Sequence, residues 1–481
     1  MLRHLLLASV AFAATLSQAD ISYTAQPDPA SQKLQVTIHV DKGTEQTVFR
    51  MPVWSPGFYF VLNFQDKVSD VRAIGEDGSD LKIEHSGARW AVQNPSKGAL
   101  TLRYKVLGDD QGLGFFRVHI GPHDCFVNGS AAFMYAEGRK EEPCRLKVYV
   151  PQGWRIATPM DPDGPGWRAD TGYDEFVDHP LQMGKFERRD FEVEGIPFSA
   201  IYVANDGISA DLDDSAQRLK VCSVPAIKLF GTTGFKRYMY IVHLSVGDFA
   251  GGLEHRASNV IAVPNSDVIH LDELGTHEYF HAWNVKQIRP KVLGPFDYTQ
   301  KVVTGALWFS EGVTDYYAQI TAHRAKVHDD NWLFQALSRQ IQELQRGTTR
   351  KTMTVEECSR EAWRNGFGNV GDLSYYNKGL VAGLIFDAAI RAETKGQKSL
   401  DDVMRLLYQR YHLPQPGFGE DDLRATISEV AGADLGPLYD RMIRSTDELP
   451  YEELKRVGLR VLAPGDQALG YGFETSNGAV T

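Results

Sequence analysis

Gly275-Thr276-His277-Glu278-Tyr279-Phe280-His281-Ala282-Trp283-Asn284 decides how the rest of the chain is read. His277-Glu278-x-x-His281 is an H-E-x-x-H pattern. Positions four apart lie on one face of a helix, so the two imidazoles project together. Placed that way they can grip one zinc ion at about 2.0–2.1 Å each. Glu278 follows the first histidine and can reach a water on such a metal, taking its proton as a general base. The pattern also arises by chance in chains of this length, and lone histidines on helices are usually structural, so a third ligand is required.

That ligand is found downstream in Trp308-Phe309-Ser310-Glu311-Gly312-Val313-Thr314-Asp315-Tyr316-Tyr317. Glu311 completes a His-His-Glu set and leaves a fourth position open for water or substrate, as a catalytic zinc requires. Asp315 lies one helical turn further on the same face. There it can accept the second ring N–H of a ligating histidine and fix its orientation. The cofactor expected is one Zn2+ per chain.

These two segments resemble the glycyl aminopeptidase family, most closely through H-E-Y-F-H-A-W-N-V-K-Q-I-R-P (277–290) and W-F-S-E-G-V-T-D-Y-Y (308–317). A looser match is P-V-W-S-P-G-F-Y (52–59). The resemblance implies a gluzincin with a thermolysin-like catalytic domain, a β-rich N-terminal domain and usually a C-terminal PDZ domain. It also gives meaning to two further segments. Gly251-Gly252-Leu253-Glu254-His255 is similar to the G-x-M-E-N segment of related aminopeptidases, with Leu253 and His255 departing from it. In that segment an edge strand runs along the substrate, and the glutamate, matched by Glu254, binds the free α-amino group. A fixed carboxylate pairs with an ammonium and sets how much substrate fits before the metal. Tyr375-Tyr376-Asn377-Lys378-Gly379 resembles a Y-x-K-G segment whose tyrosine, matched by Tyr376, donates to the oxyanion. Tyr375 is then the core-packed neighbour. A preference for a small first residue, glycine or alanine, follows from the resemblance alone.

Around this centre the organisation is α+β and multidomain, since 481 residues exceed one ordinary domain. Residues 20–180 read as an all-β, sandwich-like domain. Leu34, Val36, Ile38 and Val40 alternate with polar residues, as do Leu100, Leu102, Tyr104 and Val106, and Leu146, Val148 and Val150. Residues 181–450 read as the catalytic domain. Helices are expected over 270–288, 305–326, 330–347, 374–393, 399–411, 420–432 and 436–445, and a glycine-rich loop over 363–373. Asp211 reads as the cap of a further helix rather than part of a calcium site, because the EF-hand spacing is absent. The tail, 451–481, is far short of the roughly 80–100 residues of a small domain such as PDZ. Leu469–Phe473 reads as the first strand of a truncated one, or the module is lacking.

The first residues pair a basic start, Arg3-His4, with an apolar run from Leu5 to Leu16 and small residues before Asp20. This is the pattern of a cleaved signal peptide, 1–19, and the run is shorter than the roughly 20 residues of a membrane span. A periplasmic or secreted protein is expected. Of its four cysteines, Cys125 and Cys144 form the best candidate disulfide. The formal net charge of −11 argues against nucleic acid and anionic membranes as partners. The partners expected are peptide substrates, with no stable membrane insertion and the oligomeric state left open. Asn128-Gly129-Ser130, His119 and His123 carry no function in this reading. The chain therefore reads as a zinc aminopeptidase. The alternatives are a zinc endopeptidase of the same clan, which would lack the amino anchor, and a non-catalytic binding protein, against which the intact ligand and base set speaks.

Overall fold

The computed structural model describes residues 21–112, 114–204, 207–245, 249–265, 271–364, 366 and 368–462, with two short strands at Thr475–Ser476 and Ala479–Val480. The expected signal peptide, His270 and Leu469–Phe473 lie outside the described residues.

The alternating stretches near the N-terminus form one face of an eight-stranded sheet. Its centre is built from β1 (Ile21–Asp28), β2 (Lys33–Val40), β3 (Leu100–Leu107) and β4 (Cys144–Val148). β2 pairs antiparallel with both β1 and β3, while β1 and β4 run parallel. The period of two puts Leu34, Val36, Ile38, Val40, Leu100, Leu102, Tyr104 and Val106 inside, each at most 2% exposed. They pack against two four-stranded sheets, one of which includes Leu181–Gly184. This β-rich first module is followed by a mainly helical second one.

Cys125 and Cys144 do not form the expected disulfide. Cys125 lies on Asp124–Val127 in a four-stranded sheet and Cys144 on β4 in the eight-stranded sheet; all four cysteines are buried thiols. Closeness in sequence did not make a pair, because the intervening chain changes sheets. Asn128 is 1% exposed and caps a short helix, so its sequon is inaccessible.

The second module opens with a five-stranded sheet in the order β5 (Glu187–Val193), β6 (Ile196–Ala204), β7 (Tyr238–Ser245), β9 (Ser258–Pro264), β8 (Gly251–Glu254). β6, β7 and β9 run parallel, and β8 is an antiparallel edge strand. α1 (Leu212–Phe230) crosses between β6 and β7, capped by Asp211, whose side chain accepts from the Asp213 and Asp214 N–H groups. α2 (Leu271–Phe280) follows β9. Then come a π-helical turn, Trp308–Val313, running into α3 (Thr314–Arg324), and α4 (Asp330–Arg346), α5 (Tyr375–Glu393), α6 (Leu400–Tyr411), α7 (Glu420–Ala431) and α8 (Gly436–Ile443).

Two expectations need correction. The helix expected over 270–288 ends at Phe280. Beyond it Asn284 turns inward, donating to Phe309 O and Thr314 Oγ1 at 3.1 Å each. The Asn284 carbonyl faces His281 Nδ1 at 2.6 Å, and the backbone beyond Phe280 mixes i→i−3, i→i−4 and i→i−5 bonds in place of a regular α-helical ladder. The helix expected over 305–326 begins as a π turn carrying Glu311. Extra residues in a turn of this kind re-aim a side chain, and such turns are frequent at functional sites. Gly312 in the turn meets Gly379 of α5 so closely that a β-carbon on Gly312 would lie 2.5 Å from the Gly379 Cα. Only glycine permits that crossing, which sets Glu311 beside the start of α5.

Candidate metal centre

Helical periodicity brings His277 and His281 together. Their Nε2 atoms are 3.0 Å apart, and the His281 N–H still bonds the His277 carbonyl as in a helix. Glu311 Oε2 arrives from the π turn at 3.1 Å from His281 Nε2 and 3.5 Å from His277 Nε2. Ligands about 2.0–2.1 Å from a tetrahedral ion are about 3.3 Å from one another. The three observed separations bracket that value, and two nitrogens and one oxygen are a donor set zinc accepts. All three residues are buried.

The second ring nitrogen of each histidine also has a partner. Asp315 Oδ1 lies 2.7 Å from His277 Nδ1, and His281 Nδ1 faces the Asn284 carbonyl. Such partners fix the tautomer and direct Nε2 inward. Burial opposes charge on the His277 ring, but Asp315 and Glu311 outweigh it and hold the ring well above the ordinary imidazole value. Burial would likewise raise Glu311, yet His281 and His277 hold its carboxyl low.

A second group of close ligand atoms, Glu254, Glu278 and His281, lies within 4.8 Å of one another. It shares His281 with the first and adds the two acids read from the sequence as base and anchor. Burial pushes the Glu278 carboxyl up to about 7. Its side chain fills the space over Gly252 on the edge strand. Gly251 and Gly252 thus lie beside the metal cluster, with Glu254 at the end of the same strand, 5% exposed. The first module reaches this point too: a β-carbon on Gly57 would lie 2.6 Å from Glu254 Oε2.

Tyr376 is in the first turn of α5, its N–H capped by Ser374 Oγ at 3.1 Å. Its ring centroid is 6.1 Å from that of His277. Burial, and Glu311 after it, push its phenol up, so the hydroxyl keeps its proton for donation. Tyr375 stacks on it at 4.9 Å and is 2% exposed, a core residue.

The site residues read from the sequence, His277, Glu278, His281, Glu311, Asp315, Glu254 and Tyr376, are therefore neighbours, with the Gly251–Glu254 strand beside them. Sequence reading missed Asn284, although it lies in the decisive stretch, because a backbone carbonyl has no residue signature. It also missed Lys286, 7% exposed, whose Nζ lies 2.9 Å from Asp178 Oδ1 and 3.9 Å from Glu254 Oε1. Asp178 is 108 residues away in sequence, and no local pattern marks it.

A mixed sheet with a glycine edge strand, followed by helices that converge two histidines and a glutamate, defines a metallopeptidase of the gluzincin type. Family comparison agrees. The peptidase M61 N-terminal domain model matches residues 22–185, and the M61 glycyl aminopeptidase model matches residues 271–382, together more than half of the chain. The chain belongs to the M61 family. Among solved structures, it resembles an aminopeptidase N family protein from Idiomarina loihiensis with a TM-score of 0.85 at 24% identity, covering 95% of this chain and 82% of that one. It also resembles an M1 zinc metallopeptidase from Deinococcus radiodurans, with a TM-score of 0.54 at 14% identity, covering 90% of this chain and 96% of that one. A variant of that enzyme bound to a Tyr-Ser-Ala substrate gives a TM-score of 0.55 at 14% identity, with the same coverage. These likenesses establish the shared fold. A comparison with curated proteins finds no match.

Proposed function

We propose that this M61 metallopeptidase is a zinc-dependent aminopeptidase that releases one residue per turnover from the free amino end of peptides. His277, His281 and Glu311 would hold the zinc. Bound there, zinc would supply Lewis acidity, lowering the pKa of a water and polarising the scissile carbonyl. Glu278 takes the proton from the attacking water and passes it to the leaving amine. The Tyr376 hydroxyl donates to the oxyanion. Glu254 pairs with the substrate ammonium and fixes its register.

One observation carries the exopeptidase part of this reading: the carboxylates of Glu254 and Glu278 lie within 4.8 Å of each other. In a peptide the amino nitrogen and the carbonyl carbon of one residue are about 2.5 Å apart. An anchor that close to the base leaves room for a single residue between ammonium and attacked carbonyl. The approach of Gly57 to Glu254 crowds the same space and supports a small first residue, glycine or alanine. The N-terminal pattern from Arg3 to Asp20 supports export to the periplasm or beyond. No helix among the described residues is long and apolar enough to cross a membrane.

The test is hydrolysis of an alanine-initiated peptide with a free amino end and of its N-acetylated twin, each with and without a zinc chelator. Cleavage of the free peptide only, abolished by chelator, is expected. Equal cleavage of both would make the protein an endopeptidase.

A further inference from the structure

We propose that Asp178 is a positioning residue for the amino anchor, holding the Lys286 ammonium off Glu254 so that the Glu254 charge is left for the substrate. The inference rests on the aminopeptidase reading and gives the first module a part in it, because Asp178 follows the short helix Tyr173–Val177 of that module.

Lys286 is a buried cation with two carboxylates in reach. It sits at hydrogen-bond distance, 2.9 Å, from Asp178 Oδ1, but 3.9 Å from Glu254 Oε1. Asp178 is itself held in place. Its Oδ2 accepts from the Arg256 N–H at 2.9 Å, and its Oδ1 is 3.0 Å from His255 Nδ1. His255 and Arg256 directly follow Glu254, so one acid tethers both the lysine and the end of the edge strand. The charges explain why this matters. Lys286 gives its hydrogen bond to Asp178, so Glu254, at 3.9 Å, keeps only the weaker contact and can pair with a bound ammonium. A buried charge left without its partner is strongly destabilised and seeks another. With Asp178 neutral, the nearest carboxylate for Lys286 is Glu254, and the lysine becomes an internal competitor of the substrate.

The experiment measures kcat, KM and zinc content for the free and acetylated peptides in the wild type, Asp178→Asn, and Asp178→Asn/Lys286→Met. Asp178→Asn is expected to raise KM for the free peptide by about tenfold or more, with a smaller change in kcat, as loss of ground-state binding requires. Removing the competitor as well should bring KM back to within about threefold of wild type, with zinc content equal throughout, since the neutral pair leaves no unpaired buried charge. A double variant no better than Asp178→Asn, or an unchanged KM in Asp178→Asn, overturns the proposal and leaves Asp178 a purely structural residue. If Asp178→Asn alone does not fold, Lys286→Met and Asp178→Asn/Lys286→Met decide: with no lysine to hold off, KM values equal within about threefold support the proposal, and a KM raised about tenfold further by Asp178→Asn overturns it. Equal cleavage of both peptides by the wild type would overturn the aminopeptidase reading and this inference with it, whereas failure in the variants alone overturns only the inference.

Discussion

Gly252 lies so close to Glu278 that a β-carbon added to it would overlap the Glu278 carboxyl group. The edge strand therefore does more than flank the substrate: its bare backbone is the wall that holds the proposed base in place. Gly252→Ala should push Glu278 aside and lower kcat by about 100-fold, the scale of a misplacement of about 1 Å. Zinc content, measured alongside, should be unchanged, because the atoms an added β-carbon meets first are all of Glu278 and none of a proposed ligand. Wild-type kcat in this variant would show that the base does not depend on the strand.

Glu278→Gln keeps the shape of the side chain and removes its basicity. A kcat about 10²–10⁴-fold lower is expected, the usual contribution of a general base, with zinc still bound. Steady-state kinetics with metal analysis on the same preparation checks both halves.

Asp315 Oδ1 lies 2.7 Å from the far nitrogen of His277. Asp315→Asn should weaken zinc binding by about 10–100-fold while leaving the fold intact. Titration against a competing chelator measures this directly. Unaltered affinity would reduce the contact to an ordinary ion pair.

The neighbouring tyrosines should behave differently. Tyr376→Phe removes the proposed oxyanion donor and should cost about 10²–10³-fold in kcat with little change in KM. Tyr375→Phe alters a buried core ring and should leave kcat within a few-fold of wild type. Comparable losses in both would assign the effect to packing.

What was legible in the sequence follows from which interactions are local. The spacing of His277, Glu278 and His281 is a helical period, and the eight-strand sheet shows itself through alternating residues such as Leu34 to Val40. Glu311 was readable as the third ligand that H-E-x-x-H requires, but its π turn was not. That turn packs at the Gly312–Gly379 crossing, a contact between segments far apart in sequence. The end of α2 at Phe280 escaped for the same reason, since the Asn284 side chain bonds to Phe309 and Thr314, both distant in sequence. Cys125 and Cys144 misled because nearness along the chain says little once strands are dealt to different sheets. Asp178, Lys286 and Glu254 come from three separate segments, and only the folded chain shows them as one group.

The central claim is that His277, His281 and Glu311 form a single zinc site on which activity depends. Zinc per chain and peptide hydrolysis should be measured together in the wild type and in Glu311→Ala. One zinc per active wild-type chain is expected, with metal and activity lost together in a variant whose circular dichroism is unchanged. Full zinc occupancy in Glu311→Ala, or undiminished hydrolysis by a zinc-free wild type, would contradict it.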